Sequence, residues 1–228
     1  MPNLRALHLF LDGDHAGTFN MKMDEALFQN AIHSRSVNAT LRFYRFSEPC
    51  WTVGYGAWKS ASAFFPKDRP VIRRITGGGI VKHGQDLTYA LVAPYRREEP
   101  LGRVRKSYFL IHEALSRTLL QFDLIAGRYE AECGSGEFCF DTPVTDDLMF
   151  RGEKAAGGAQ KRSQGYLLHQ GSVAWPLFLE ARPGLDEIAF AKAFACELGG
   201  LIDFPVKESL VPTENLRDTE FVAWNQPY

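Results

Sequence analysis

The chain has 228 residues, 45% hydrophobic and 13% aromatic, with 26 basic against 27 acidic side chains. That is material for one hydrophobic core, so residues 1–228 read as a single domain, and the balanced charge argues against nucleic acid as the main partner. No apolar run is long enough for a membrane span, and four cysteines in a chain of this size make no disulfide framework, which points to a reducing, cytoplasmic address.

Leu7 to Leu11 alternates like a strand, and the N-terminus lacks the long apolar core of a signal segment. Met21 to Ser34 predicts an amphipathic helix with Met21, Leu27, Phe28, Ala31 and Ile32 as its apolar stripe. Thr18 or Asn20 is the expected cap, and Asp24 and Glu25 suit its early turns. Thr40–Phe46 and Cys50–Val53 read as short strands broken at Glu48-Pro49. Arg103 to Leu120 carries the clearest helical spacing, through Val104, Tyr108, Ile111, Leu115, Leu119 and Leu120. Strand-like pieces follow at Leu148–Phe150, Lys154–Ala156, Tyr166–Leu168 and Ser172–Trp175, then a helix at Leu185–Leu198 and one further helical turn near Thr213–Asn225. Strands and helices mix without regular βαβ alternation, so the expected class is α+β, with a mixed, largely antiparallel sheet flanked by helices.

Chemistry concentrates first in Arg73-Arg74-Ile75-Thr76-Gly77-Gly78-Gly79-Ile80-Val81-Lys82-His83. Consecutive glycines cost backbone entropy and give a core no side chain. Here they lie between the β-branched Pro70-Val71-Ile72 and the strand-like Asp86–Val92. Such a loop lets backbone N–H groups approach an anionic or carbonyl-bearing ligand; a tight hairpin turn is the other reading of the same residues.

A second cluster begins at Cys139-Phe140-Asp141-Thr142-Pro143 and Asp146-Asp147-Leu148-Met149. It continues through Arg151-Gly152-Glu153-Lys154-Ala155-Ala156-Gly157-Gly158-Ala159-Gln160 to Leu167-Leu168-His169-Gln170-Gly171-Ser172. With Met23-Asp24-Glu25-Ala26-Leu27 and the glycine loop, these motifs resemble the biotin/lipoate protein ligase superfamily, in its lipoate ligase and octanoyltransferase branch. The resemblance covers about three quarters of the chain. It implies the catalytic-domain fold of that superfamily and a role in protein lipoylation. In the cysteine-dependent octanoyltransferases the nucleophile belongs to a Cys-Phe-x-x-Pro segment ahead of a Gly-x-Lys strand. Cys139, fifteen positions before Lys154, fits that pattern. Cys196, in an amphipathic segment far downstream, does not.

The resemblance therefore implies an enzyme that takes an octanoyl group from acyl carrier protein onto Cys139 and passes it to a lysine of a lipoyl carrier domain. Acceptors of that kind are the glycine cleavage H protein and the E2 subunits of 2-oxoacid dehydrogenases. Physical chemistry favours the same pair: a thiol attacks as thiolate, and a nearby lysine ammonium stabilises that anion. The substrate contacts implied are Arg74, Gly77, Gly78, Gly79, Ile80, Val81, Lys82 and His83 from the first motif and Gly157, Gly158 and Ala159 from the second, around an acyl slot. Arg74 reads as a contact to phosphate or pantetheine, or else as a partner of Asp86. His169 reads as a structural strand-end residue. Backbone N–H groups of Gly78-Gly79 or Gly157-Gly158 are candidates for an oxyanion hole. Cys133 has no ligand cluster near it, so no metal is expected, and a thioester donor requires no cofactor.

Three alternatives stay open. One is an ATP-dependent lipoate–protein ligase, using ATP and magnesium, with Lys154 on the adenylate. Another is an amidotransferase between carrier domains. The last is a non-catalytic module that binds lipoyl domains. The loop departs from the ligase pattern in having Gly84-Gln85 after the histidine and Gly157-Gly158-Ala159 where Gly-Ser-Ala is usual. The chain also stops at Tyr228, ahead of the accessory domain many ligases carry. Arg96-Arg97 and Arg103-Val104-Arg105-Lys106 form a basic group, partly neutralised by Glu98 and Glu99, that is a candidate docking surface for an acidic carrier.

Overall fold

The strand segments Leu87–Pro94 and Tyr166–Val173 are buried on both faces, which requires a layer above and a layer below. The computed structural model describes residues 5–130 and 143–208 and supplies both layers. In chain order its elements are β1 (Leu7–His15), α1 (Gly17–His33), β2 (Ala39–Phe46), β3 (Cys50–Val53), α2 (Trp58–Ala61), β4 (Val71–Arg73), β5 (Ile80–His83) and β6 (Leu87–Pro94). They continue with α3 (Val104–Gln121), β7 (Gly127–Arg128), β8 (Leu148–Phe150), β9 (Glu153–Ser163), β10 (Tyr166–Val173), α4 (Trp175–Ala181), α5 (Glu187–Ile202) and β11 (Val206–Glu208).

Eight strands form one sheet in the order β11-β1-β2-β6-β10-β9-β8-β7, and β4-β3-β5 form a second, smaller sheet. Both are mixed: β1 pairs in parallel with β11 and β2 while the pairs β2–β6, β6–β10 and β10–β9 are antiparallel, and β3 pairs in parallel with β4 and antiparallel with β5. On one face of the large sheet, Ile111, Leu115 and Leu119 of α3 and Phe190, Phe194 and Leu198 of α5 pack on Leu41, Tyr89, Leu91 and Leu167. On the other, Met21, Phe28 and Ile32 of α1 pack on Tyr44, Ala90, Val92 and Leu168. The expected α+β class and mixed sheet are found. No helix among the described residues is long and apolar enough to cross a membrane.

Several boundaries differ from expectation, for identifiable reasons. α1 starts at Gly17, with Ala16 at its cap and no side-chain cap, so neither Thr18 nor Asn20 has that role. Asn20 is buried instead, its amide donating to the carbonyls of His15 (3.2 Å) and Arg45 (2.9 Å). Asp24 does not serve the helix dipole either: it faces inward onto a buried network. β9 is one strand of eleven residues where only Lys154–Ala156 reads as strand, because its glycines and alanines hide the alternation that β10 enforces along its length. Trp175 opens a helix rather than closing a strand, with Pro176 in the first turn, where its missing N–H costs nothing. The Thr213–Asn225 turn lies outside the described residues.

The network around Asp24 is the polar centre of the molecule. Arg42, 1% exposed, donates to Asp12 Oδ2 through Nε (2.7 Å) and to Asp24 Oδ1 through Nη1 (2.7 Å). Tyr44 Oη (2.8 Å) and Gln170 Nε2 (2.7 Å) donate to Asp24 Oδ2. Removing one member of a buried ion cluster strands the others. Arg42→Ala should therefore cost about 3–5 kcal/mol and lower Tm by roughly 10 °C in a chain of this size; calorimetry showing a loss under about 2 °C would refute the network's structural role.

Candidate functional site

The glycine loop is shaped from beneath by Arg74, which is 5% exposed. Its Nη2 donates to the carbonyls of Gly77 (2.7 Å) and Gly79 (3.0 Å), and its Nη1 donates to Thr52 Oγ1 (3.1 Å). Because the peptide unit is planar and trans, turning the Gly77 carbonyl toward Arg74 turns the Gly78 N–H the opposite way. Two positions demand glycine. Gly78 has φ +84°, and a Cβ at Gly54 would lie 2.0 Å from the Gly78 carbonyl oxygen. Arg74 thus templates the loop, and Asp86, its other expected partner, binds His83.

Thr76 Oγ1 ties the loop to the large sheet by donating to Gln170 Oε1 (2.7 Å), and Gln170 is the residue that reaches Asp24. At the far end of β5, His83 Nδ1 lies 2.8 Å from Asp86 Oδ2 and its Nε2 lies 2.8 Å from Thr52 Oγ1, with the ring stacked on Phe46. Asp86 also accepts from Thr88 Oγ1, Ser172 Oγ and the Gly84 N–H. Burial works to raise the Asp86 carboxyl, but the His83 charge and these hydrogen bonds outweigh it and hold the group below the usual carboxylate range. Ile80 is buried among Val53 and Ala61 in the small sheet's own core, and Lys82 lies over the Trp51 ring.

β9 supplies the second half. Alternate strand residues point to opposite faces, and cross-strand partners share one. Gly157 sits opposite Ser172 and Ala159 opposite Gln170, on the glycine-loop face. A register shift between Leu148 and Met149 precedes them. Lys154 then folds over Gly157, where a Cβ would stand 2.9 Å from Nζ and 3.0 Å from Asp147 Oδ1. The Lys154 ammonium pairs with Asp147 Oδ2 at 2.7 Å, both side chains at most 5% exposed. Gly158 points the other way, where a Cβ would meet His169 Nε2 at 2.4 Å. The structure therefore puts Lys154, Gly157 and Ala159 on the sheet face to which the loop is bonded through Gln170, and Gly158 on the other. Tyr108, near the same carboxylate, is pushed up to about 12 by burial and then by the Asp147 charge.

Cys139, with Cys133, lies outside the described residues. Of the described thiols, Cys50 is pushed up to about 12 by burial and by the charges of Asp86 and Glu48, which keeps it protonated and unreactive. Cys196 is exposed on α5, which packs on the opposite face of the large sheet from Lys154. Asp147, Thr76, Gln170 and Ser172 were not singled out by residue type. The available signal was polarity at alternate positions of β10, where a doubly buried strand should be apolar.

A separate cavity of about 610 Å³ opens at the start of α3, lined by Arg103, Arg105, Lys106, Phe109, Arg128 and Asp146 among others. Arg103, Arg105 and Lys106 of the basic group are thus exposed around a concavity that Arg128, Glu130 and Asp146 also line, while Arg96 and Arg97 are exposed away from its lining.

Residues 16–182 match the model of the lipoyl protein ligase A/B catalytic domain. The chain belongs to this family. Similar proteins include the octanoyltransferase LipM of Kyrpidia tusciae, 33% identical over 79% of this chain and 69% of that protein. The octanoyltransferase LipM of Oceanobacillus iheyensis is 30% identical over 71% and 61%. The chain spans about three fifths of the length of that relative. Among solved structures, a lipoate-protein ligase A bound with ATP superposes with TM-score 0.64 at 16% identity, over 94% of this chain and 92% of that one. At that identity the likeness concerns the fold.

Within this family frame, Gly157 is the seat of Lys154. Gly157→Ala should displace the flexible ammonium rather than the backbone. Because that breaks the buried Lys154–Asp147 pair, Tm should fall by roughly 6 °C or more in a chain of this size. An unchanged Tm in calorimetry would show that Lys154 does not need this seat.

Proposed function

We propose that the chain is a cysteine-dependent protein octanoyltransferase of lipoylation, a reading carried by its octanoyltransferase relatives. The seating of Lys154 on the glycine-loop face supports it. The Cys139 thiolate attacks the carbonyl carbon of octanoyl–acyl carrier protein; a new thioester to Cys139 forms and the carrier's thiolate leaves. A lysine amine of a lipoyl carrier domain, such as the H protein or an E2 subunit, then attacks that thioester. An amide forms, Cys139 leaves as thiolate, and the amine's proton is released. Lys154 favours the thiolate and the developing oxyanion electrostatically. Because a thioester is already activated toward an amine, this route uses neither ATP nor metal. Burying an octanoyl tail contributes about 5 kcal/mol at ~0.8 kcal/mol per CH₂, enough for an apolar slot to measure chain length.

The acidic carrier domains dock, in this reading, on the basic cavity at the start of α3. Reversing Arg103, Arg105 and Lys106 to Glu should raise the carrier's KM and weaken its dependence on salt; an unchanged KM at low salt disposes of that docking site. The chemistry itself is tested by mass spectrometry after incubation with octanoyl–acyl carrier protein without ATP. Gain of one octanoyl mass, lost in Cys139→Ala, is the expected result. Modification that needs free lipoate and ATP and survives Cys139→Ala would select the ligase, and no modification under either condition would select a binding module.

A further inference from the structure

Each buried polar atom in a native protein needs a partner or a reason. Among the described residues, Nε2 of His112, on α3, is buried with no hydrogen-bond partner, and the residue is 1% exposed. The other ring nitrogen, Nδ1, lies 2.5 Å from the carbonyl oxygen of Asp146. A carbonyl can only accept, so Nδ1 carries the proton and Nε2 the lone pair. Burial is the largest influence on this imidazole and holds it below its ordinary basicity. A phenyl or isobutyl group would fill such a place without stranding a nitrogen. The imidazole is therefore kept for its donor.

That donor acts on the turn from Val144 to Asp147. Asp146 has φ 75°, a left-handed conformation that a non-glycine residue holds only when its surroundings impose it. The turn is pinned by the Asp147 N–H to the Val144 carbonyl (2.9 Å), the Asp146 N–H to the Tyr129 carbonyl (3.0 Å) and the Tyr129 N–H to the Asp147 carbonyl (2.8 Å). The Asp147 carboxylate accepts from the Val144 N–H (2.7 Å) and from Lys154 Nζ (2.7 Å). One peptide unit thus separates the group that His112 grips from the group that Lys154 grips.

We propose that His112 is a positioning residue for Lys154: its Nδ1–H holds the Asp146 carbonyl, and so holds the turn that delivers the Asp147 carboxylate to the ammonium. The kinetic side of this inference rests on the octanoyltransferase reading; the ion pair does not. The test compares wild type with His112→Asn, whose amide nitrogen replaces Nδ1 and leaves Nε2 without a counterpart, and with His112→Phe. His112→Gln, which places its amide near Nε2 and loses the donor at Nδ1, stands in if the Phe variant does not fold.

Two readouts are taken: trace acetylation of Lys154 by mass spectrometry, and kcat with KM for octanoyl transfer. The Lys154 side chain is 5% exposed while it is paired with Asp147, so its release to solvent in the Phe and Gln variants should raise labelling of Lys154 about tenfold. Their kcat should fall roughly 10- to 100-fold, with carrier KM within about twofold. The Asn variant should stay within about twofold of wild type in both readouts. An Asn variant as impaired as Phe would place the role on Nε2 and overturn the proposal, as would unchanged labelling and kcat in Phe and Gln. If wild type transfers no octanoyl group, the octanoyltransferase reading fails, while the labelling comparison still decides the role of His112.

Discussion

The hydrogen bond from Thr76 to Gln170 joins the two halves of this protein. A loop of three glycines has no side chains with which to hold itself, and its conformational entropy favours many shapes. Here it is caught between Arg74, which takes the Gly77 and Gly79 carbonyls from below, and Gln170, which takes Thr76 from the side. Gln170 is in turn fixed by Asp24, and Asp24 by Arg42 and Tyr44. An otherwise pliable segment thus inherits the rigidity of a buried ion cluster on α1 and β2. Such clusters contribute little net stability, since desolvation offsets the attraction, but they tolerate very few geometries. Definition of place is what a site that orients reacting groups needs.

The large sheet divides labour between its faces. On the α3 and α5 side, rings and aliphatic chains pack in the ordinary way, with Tyr89 over Gly171 and His169 beneath Gly158. On the α1 side, Gln170 and Ser172 of β10 project among apolar neighbours toward the small sheet, and each is used: one for the loop, the other for Asp86 and through it His83. β9 passes between these worlds. Its small residues leave room for Lys154 to lie back over Gly157 and for Asp147 to meet it from the adjoining turn.

Much of this could be read from residue patterns. The strong helix of Arg103–Leu120 is α3 to within a residue or two, and the strands around the glycine loop are present. Lys154 was marked by the small residues that follow it. Less legible were features whose partners are distant in sequence. The expected cap role of Asn20 and dipole role of Asp24 are local rules, and tertiary contacts with Arg45 and Arg42 displaced them. Arg74 looked like a ligand contact because a basic residue beside glycines often is one, yet burial committed it to the loop's own carbonyls. Asp147 stood in plain view next to Asp146, with nothing in the spacing to say which of them would turn toward the lysine.

The order of residues alone thus determined the α+β class and the two glycine-bearing motifs, since these follow from periodicity and from runs of glycine that a core has no use for. Only the folded chain decided which face each strand residue occupies, and hence that Lys154, Gly157, Ala159, Gln170 and Ser172 share a surface while Gly158 and His169 share the other. Strand alternation reverses with every added residue. The register shift between Leu148 and Met149 is invisible in composition, and it sets the side to which the lysine turns.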